Sequence, residues 1–183
     1  PTSGGVWKIG GEMAIPPASQ RYFKASIQHQ RYMPIARDVT LAVNGEFGIA
    51  NGFGGRDLPF FKNFYAGGIG SVRGFEGSSL GPIDATTGER LGGTKRLVAN
   101  VEVLFPMPGS GLDRSVRLGA FVDAGQVWGQ GDKASLGNMR YSAGVSLAWN
   151  SPLGPLKFSL GNPLNKKPED KLQRLQFQMG STF

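Results

Sequence analysis

Apolar and polar residues alternate with a period of two along most of this chain, in eight segments. Such alternation is what a strand between one apolar and one polar environment requires. The first segment sets Trp7, Ile9, Met13 and Ile15 against Lys8, Gly10 and Glu12. The second sets Phe23, Ala25, Ile27 and Met33 against Lys24, Ser26, Gln28 and Gln30, and is the least regular because His29 and Arg31 fall on its apolar side. After a turn over Pro34 to Asp38, the third opposes Val39, Leu41, Val43, Phe47 and Ile49 to Thr40, Asn44, Glu46 and Gly48. The fourth runs from Leu97 to Phe105 with Asn100 and Glu102 on its polar side, and the fifth from Val116 to Gly125 with Arg117, Phe121 and Asp123 opposite its aliphatics. The sixth is the cleanest: Met139, Tyr141, Ala143, Val145, Leu147 and Trp149 on one face, Arg140, Ser142, Gly144, Ser146 and Asn150 on the other. Leu156 to Asn162 and Leu175 to Phe183 complete the set.

Segments of about 9 to 14 residues suffice to cross a bilayer at a tilt. Alternation alone also fits a water-soluble sandwich with its polar face outside. The connections separate the two. Those after the second, fourth and sixth segments are short and proline-rich, whereas the opposite side carries a long segment over about 51–93 and polar stretches at 129–138 and 161–171. Short turns at one rim and long loops at the other are the asymmetry of an outer-membrane barrel. Trp7, Tyr22, Trp128, Tyr141 and Trp149, near segment ends, suit its interfacial aromatic girdles. The pattern therefore predicts an all-β, antiparallel transmembrane β-barrel with eight strands in residues 1–183. Eight strands close around a lumen that their own side chains fill. A loop of about forty residues would not fit inside, so either the wall is incomplete or the loop lies outside.

Composition narrows the chemistry. The chain has no cysteine and one histidine, which removes disulfides, thiolate chemistry and any histidine-based metal site; no cofactor is expected. The net charge of +7 is scattered, and Lys166-Lys167 adjoins Glu169-Asp170, so no phosphate-tracking patch and no nucleic-acid partner is expected. No apolar run is long enough for a membrane helix and no leader precedes the first strand, so the chain is expected to start inside a mature protein.

The long segment has its own chemistry. Five glycines between Gly67 and Gly77 surround Val72-Arg73-Gly74-Phe75, leaving one arginine and one phenylalanine to project from a backbone free to turn and pack closely. Ser71, Ser78 and Ser79 lack a nucleophile-elbow context, and the glycines lack the lysine-hydroxyl ending of a phosphate loop. Catalysis is not expected.

Taken with Asn63-Phe-Tyr-Ala-Gly-Gly68, Gly81-Pro82, Phe121-Val-Asp-Ala-Gly125, Ser151-Pro-Leu-Gly-Pro-Leu156 and an aromatic C-terminus, the sequence resembles the C-terminal barrel region of the BamA family of outer-membrane protein assembly factors. The resemblance implies a bacterial outer-membrane location and the last eight strands of a sixteen-stranded barrel, with the POTRA domains outside this chain and the long loop extracellular. It implies insertion of unfolded outer-membrane proteins through a lateral seam without a chemical reaction. Accessory lipoproteins and outer-membrane lipid are the other implied partners. The same superfamily offers a protein-translocation pore, of the two-partner-secretion or TamA-like kind, as the alternative. The resemblance places Arg73 in the lumen, where Glu102, Asp123 and Phe121 are the expected partners of its forked, permanently charged head. It also marks Phe177, Gly180 and Phe183 as the seam strand. Eight strands cut from sixteen leave two open edges, so the isolated piece is expected to close on itself with the loop displaced, or to pair with a second copy.

Overall fold

The computed structural model describes residues 2–17, 19–109, 115–152 and 154–180. Eight long strands form one antiparallel sheet: β1 (Gly4–Ala14), β2 (Tyr22–Ala36), β3 (Val39–Gly52), β5 (Lys95–Pro106), β6 (Val116–Trp128), β7 (Arg140–Ser151), β8 (Gly154–Pro163) and β10 (Leu175–Met179). Each pairs with its neighbour in that order. Two short strands, β4 (Gly74–Phe75) and β9 (Leu172–Gln173), pair with each other and join the loop tip to the segment leading into β10.

The alternation of the sequence maps onto the two faces of this sheet, and the faces are inverted relative to a water-soluble protein. Ile9, Val122, Val145, Leu160 and Phe177 point outward and more than half of each is exposed, while Thr40, Asp123, Ser142, Ser146, Ser159 and Gln176 point inward and are buried. Apolar side chains outside and polar ones inside suit a wall with lipid on one side and an enclosed lumen on the other. Register holds unbroken across β5 and β6, from Lys95↔Trp128 to Pro106↔Arg117, which keeps Glu102 and Asp123 on the same inner face.

One expectation holds and three change. The wall is incomplete, as expected: β1 and β10 are the ends of the sheet, and the long segment docks on the inner face without being displaced by closure. That segment also has structure of its own. A 3₁₀ turn over Phe60–Lys62, the strand β4 and isolated bridges at Phe64↔Gly93, Ala66↔Leu80 and Ile83↔Arg90 fold it back on itself. The glycine spacing hid this, because a hairpin held by single bridges leaves no alternation to read. Met139, expected on the outer face, is instead buried. It lies before β7, in the turn where its N–H donates to Leu136 O, so strand parity does not govern it. The last segment is shorter than its alternation indicates, with β10 ending at Met179; Phe183 lies outside the described residues.

A charge placed on the outer face should be costly and one at the rim should not. Val122 is the central residue of β6, and Val122→Arg is expected to lower the stability of the folded protein by about 2–4 kcal/mol, read from urea unfolding in vesicles. A cost under about 0.5 kcal/mol would show that this face does not meet hydrocarbon.

Candidate functional site

The centre of the inner face is one side chain from the loop. Arg73 is 3% exposed and meets two carboxylates from adjacent strands. Its backbone N–H donates to Asp123 Oδ2 at 3.0 Å, its Nε to the same oxygen at 2.7 Å, and one terminal nitrogen to Asp123 Oδ1 at 2.8 Å. The other terminal nitrogen donates to Glu102 Oε1 at 2.9 Å. The guanidinium lies 3.4 Å from the centre of the Phe121 ring, so its flat face is covered by π-density while its edges are bonded. Phe121 and Asp123 are two residues apart on β6 and so share a face; Glu102 stands opposite Phe121 in register on β5.

The carboxylates are held in turn. Glu102 accepts from Ser146 Oγ and faces Lys157 Nζ at 3.5 Å. Asp123 Oδ1 also accepts from Asn100 Nδ2 at 2.9 Å, and that amide donates to Ser71 O at 2.6 Å. From there a row of amides crosses the wall: Asn44 Nδ2 donates to Asn100 Oδ1 and Gln28 Nε2 to Asn44 Oδ1. Of the basic residues available on these strands, Lys157 reaches the site, whereas Arg140 pairs with Asp170 at 2.6 Å and Arg117 donates to Thr40 Oγ1 at 3.0 Å.

On either side of Arg73 the tip is apolar and fully buried. Val72 and Phe75 pack with Ala66, Leu80, Val98 and Val127. Gly74, between them, has φ +90°, a conformation that other residues adopt only with strain. The wall is hollowed to receive this tip. A Cβ added at Gly125 would lie 2.6 Å from a Val72 methyl, and one at Gly161 would lie 2.7 Å from Gly74 N. One at Gly144 would meet Leu160 O at 2.0 Å and Phe121 Cζ at 2.8 Å. Pattern reading passed over these three glycines, because a glycine on the polar face of a strand reads as neutral spacing.

It also passed over the contacts to the last strand. Beside the β4–β9 pairing, Glu76 N donates to Lys171 O at 2.9 Å and Gln176 Nε2 to Phe75 O at 2.7 Å. The loop tip therefore touches β6 through Arg73 and the edge strand through Phe75. At that edge, Phe177 faces outward against Phe158, ring centres 4.8 Å apart. Gly180 follows β10 with φ +96° and donates its N–H to Pro155 O at 2.8 Å, one bond further along β8 than the last register pair, Met179↔Leu156. At the distal end of the loop, the backbone N–H groups of Thr87 and Thr86 hold the Asp84 carboxyl below the usual range. The exposed turn that they close is complete at neutral pH and loosens as acid protonates Asp84.

The Omp85 superfamily domain matches residues 1–183, the whole chain. The chain belongs to the Omp85 superfamily. Among members of this superfamily, it is similar to the outer membrane protein assembly factor BamA of Neisseria meningitidis, 42% identical over all of this chain and 26% of that protein. BamA of Nitratidesulfovibrio vulgaris is 30% identical, again over all of this chain and 23% of its own length. The chain thus spans about a quarter of these Omp85 relatives. In the crystal structure of BamA from Haemophilus ducreyi lacking POTRA domains 1–3, 38% of the chain superposes on 97% of this one with a TM-score of 0.89 at 31% identity. The antiparallel strands and the outer-membrane setting of an Omp85 barrel are accordingly this chain's own.

No described group of three or more acidic, histidine or cysteine side chains could hold a metal ion. Glu102 and Asp123 are consumed by Arg73, so the arrangement binds a loop rather than presenting an acid and a base to solvent. Removing one acidic partner leaves a buried charge. Asp123→Ala is expected to destabilise the docked state by about 3–5 kcal/mol, read as protease cleavage within the loop at lower urea concentration than in the parent. Arg73→Lys, which retains charge but not the fork, should also open the loop; parent-like protection in both variants would remove the pair from the account.

Proposed function

We propose that this chain is the C-terminal half of a sixteen-stranded barrel in an outer-membrane protein assembly factor. In this reading the barrel folds and inserts unfolded β-barrel proteins into the bacterial outer membrane and carries out no chemical reaction. The main support is likeness along the whole chain to proteins named BamA. An unpaired antiparallel edge presents backbone donors and acceptors, and an incoming strand can add to it without any catalytic group. Phe177, Gly180 and Phe183 belong to the last strand, whose free edge is the lateral seam in this reading. Val72, Arg73, Gly74 and Phe75, held by Glu102, Phe121 and Asp123, anchor the long loop in the lumen and brace the wall next to the seam. The partners in this reading are unfolded outer-membrane proteins, accessory lipoproteins of the assembly complex and outer-membrane lipid. The isolated piece, with two open edges, would also pair with itself.

The test replaces the corresponding region of a resident BamA with residues 1–183 in cells depleted of the native protein, and follows porin folding by heat-dependent gel mobility. Restored porin folding is expected, with loss in the Arg73→Ala and Asp123→Ala versions. A chimera that inserts as a heat-stable barrel, leaves porins unfolded and releases an exported protein outside the cell would instead identify a translocation pore.

A further inference from the structure

Away from the rims, where Asn51, Gln126, Ser151 and Asn162 take outward register, the outward face of the sheet is apolar with one interruption. On β2, His29 and Arg31 stand in outward register between Ile27 and Met33. They are the only basic side chains on this face within the strand interiors among the described residues. Lys95, also in outward register, opens β5 at the long-loop rim, where its ammonium donates to Asp132 O at 2.7 Å.

The surroundings of this pair are shaped. Trp7 stands opposite His29 in register and stacks on it, ring centres 3.9 Å apart and 15° from parallel. Gly5 stands opposite Arg31, and a Cβ there would lie 3.7 Å from both Arg31 Cγ and His29 Nε2. On the other flank Gly45 stands opposite His29, with nothing within 4 Å of where its Cβ would be. Gly5 and Gly45 therefore flank the pair on β1 and β3, the first packed against it and the second leaving open space beside the imidazole. Arg31 has no ion pair among the described residues, and the carboxylates of the neighbouring strands, Glu12 and Glu46, stand in inward register, where they pair with Lys62 and, at 3.1 Å, Arg96.

Depth decides what can neutralise it. Arg31 lies five residues before β2 ends at Ala36 on the short-turn side. At roughly 3.3 Å per residue and a tilt near 40°, that is about 12 Å from the rim, within reach of a side chain that lays its stem along apolar surface and extends its head to the interface.

We propose that Arg31, His29 and Trp7, flanked by Gly5 and Gly45, form a binding site for the phosphate of an anionic phospholipid in the leaflet on the short-turn side. The proposal rests on the outward face meeting lipid, and not on assembly activity. The guanidinium forks onto the phosphate oxygens, the imidazole donates a further hydrogen bond, the indole covers the glycerol region, and the open space at Gly45 admits the upper acyl chain.

The test uses the full-length protein carrying this chain, in nanodiscs of equal phosphatidylglycerol and phosphatidylcholine, with retained lipid counted by native mass spectrometry after mild extraction. Phosphatidylglycerol should be retained in preference. Retention should fall about fivefold in Arg31→Gln and also in Gly45→Leu, which keeps every charge and fills the open space beside the imidazole. Lys8→Gln, which removes an inward cation, should retain lipid as the parent does, and added inorganic phosphate should not displace it. Heat-dependent gel mobility verifies that each variant is folded; if Arg31→Gln does not fold, Arg31→Lys keeps the charge without the fork and should show a partial loss. Equal retention in Arg31→Gln and the parent would overturn the site. So would loss in Arg31→Gln with none in Gly45→Leu, which reduces the effect to general charge attraction, or displacement by inorganic phosphate.

Discussion

The inner side of this protein depends on how one guanidinium is neutralised. A charge held away from water is tolerated only when paired and hydrogen-bonded, and Arg73 meets both conditions with carboxylates from two neighbouring strands and an aromatic ring beneath it. Each partner is also occupied elsewhere, Asp123 by Asn100 and Glu102 by Ser146 and Lys157. The loop backbone is held by the same network, through Arg73 N–H and Ser71 O. The position of the tip, the spacing of β5 and β6 and the amide row towards β2 are thus parts of one polar cluster, surrounded on the tip side by the apolar packing of Val72 and Phe75.

That arrangement explains why a long glycine-rich segment is ordered at all. Glycines are entropically costly to fix, and the loop offers few regular hydrogen bonds of its own. Burial of Val72, Phe75 and Leu80 against Val98 and Val127, added to the charge cluster, offsets the cost. The hollows at Gly125, Gly144 and Gly161 let the wall come close enough for both.

Much of this was legible in the sequence, for identifiable reasons. The strands could be read because lipid on one side and a polar lumen on the other impose opposite preferences on successive residues, as Val101, Glu102 and Val103 illustrate. The inward register of Glu102, Phe121 and Asp123 follows from the same parity; their meeting with Arg73 entered only through family resemblance. What could not be read is non-periodic. The single bridges that fold the loop, the β4–β9 pairing and the Gln176 bond to Phe75 are contacts between segments with no alternating signature. Met139 misled because it carries the parity of a strand that starts one residue later. His29 and Arg31 were legible as an anomaly, the place where β2 breaks the lipid-facing rule.

The Gln176 amide has a mechanical consequence. It fastens the edge strand to the loop tip at the second residue of β10, and the β4–β9 pairing fastens the segment just before it. Peeling of that edge from its free end would therefore meet a clamp after Phe177, Gln178 and Met179, unless the loop moves as well. The hinge of the wall's last strand lies at a side chain of the strand itself, and the anchor it pulls against is the buried arginine one residue from β4.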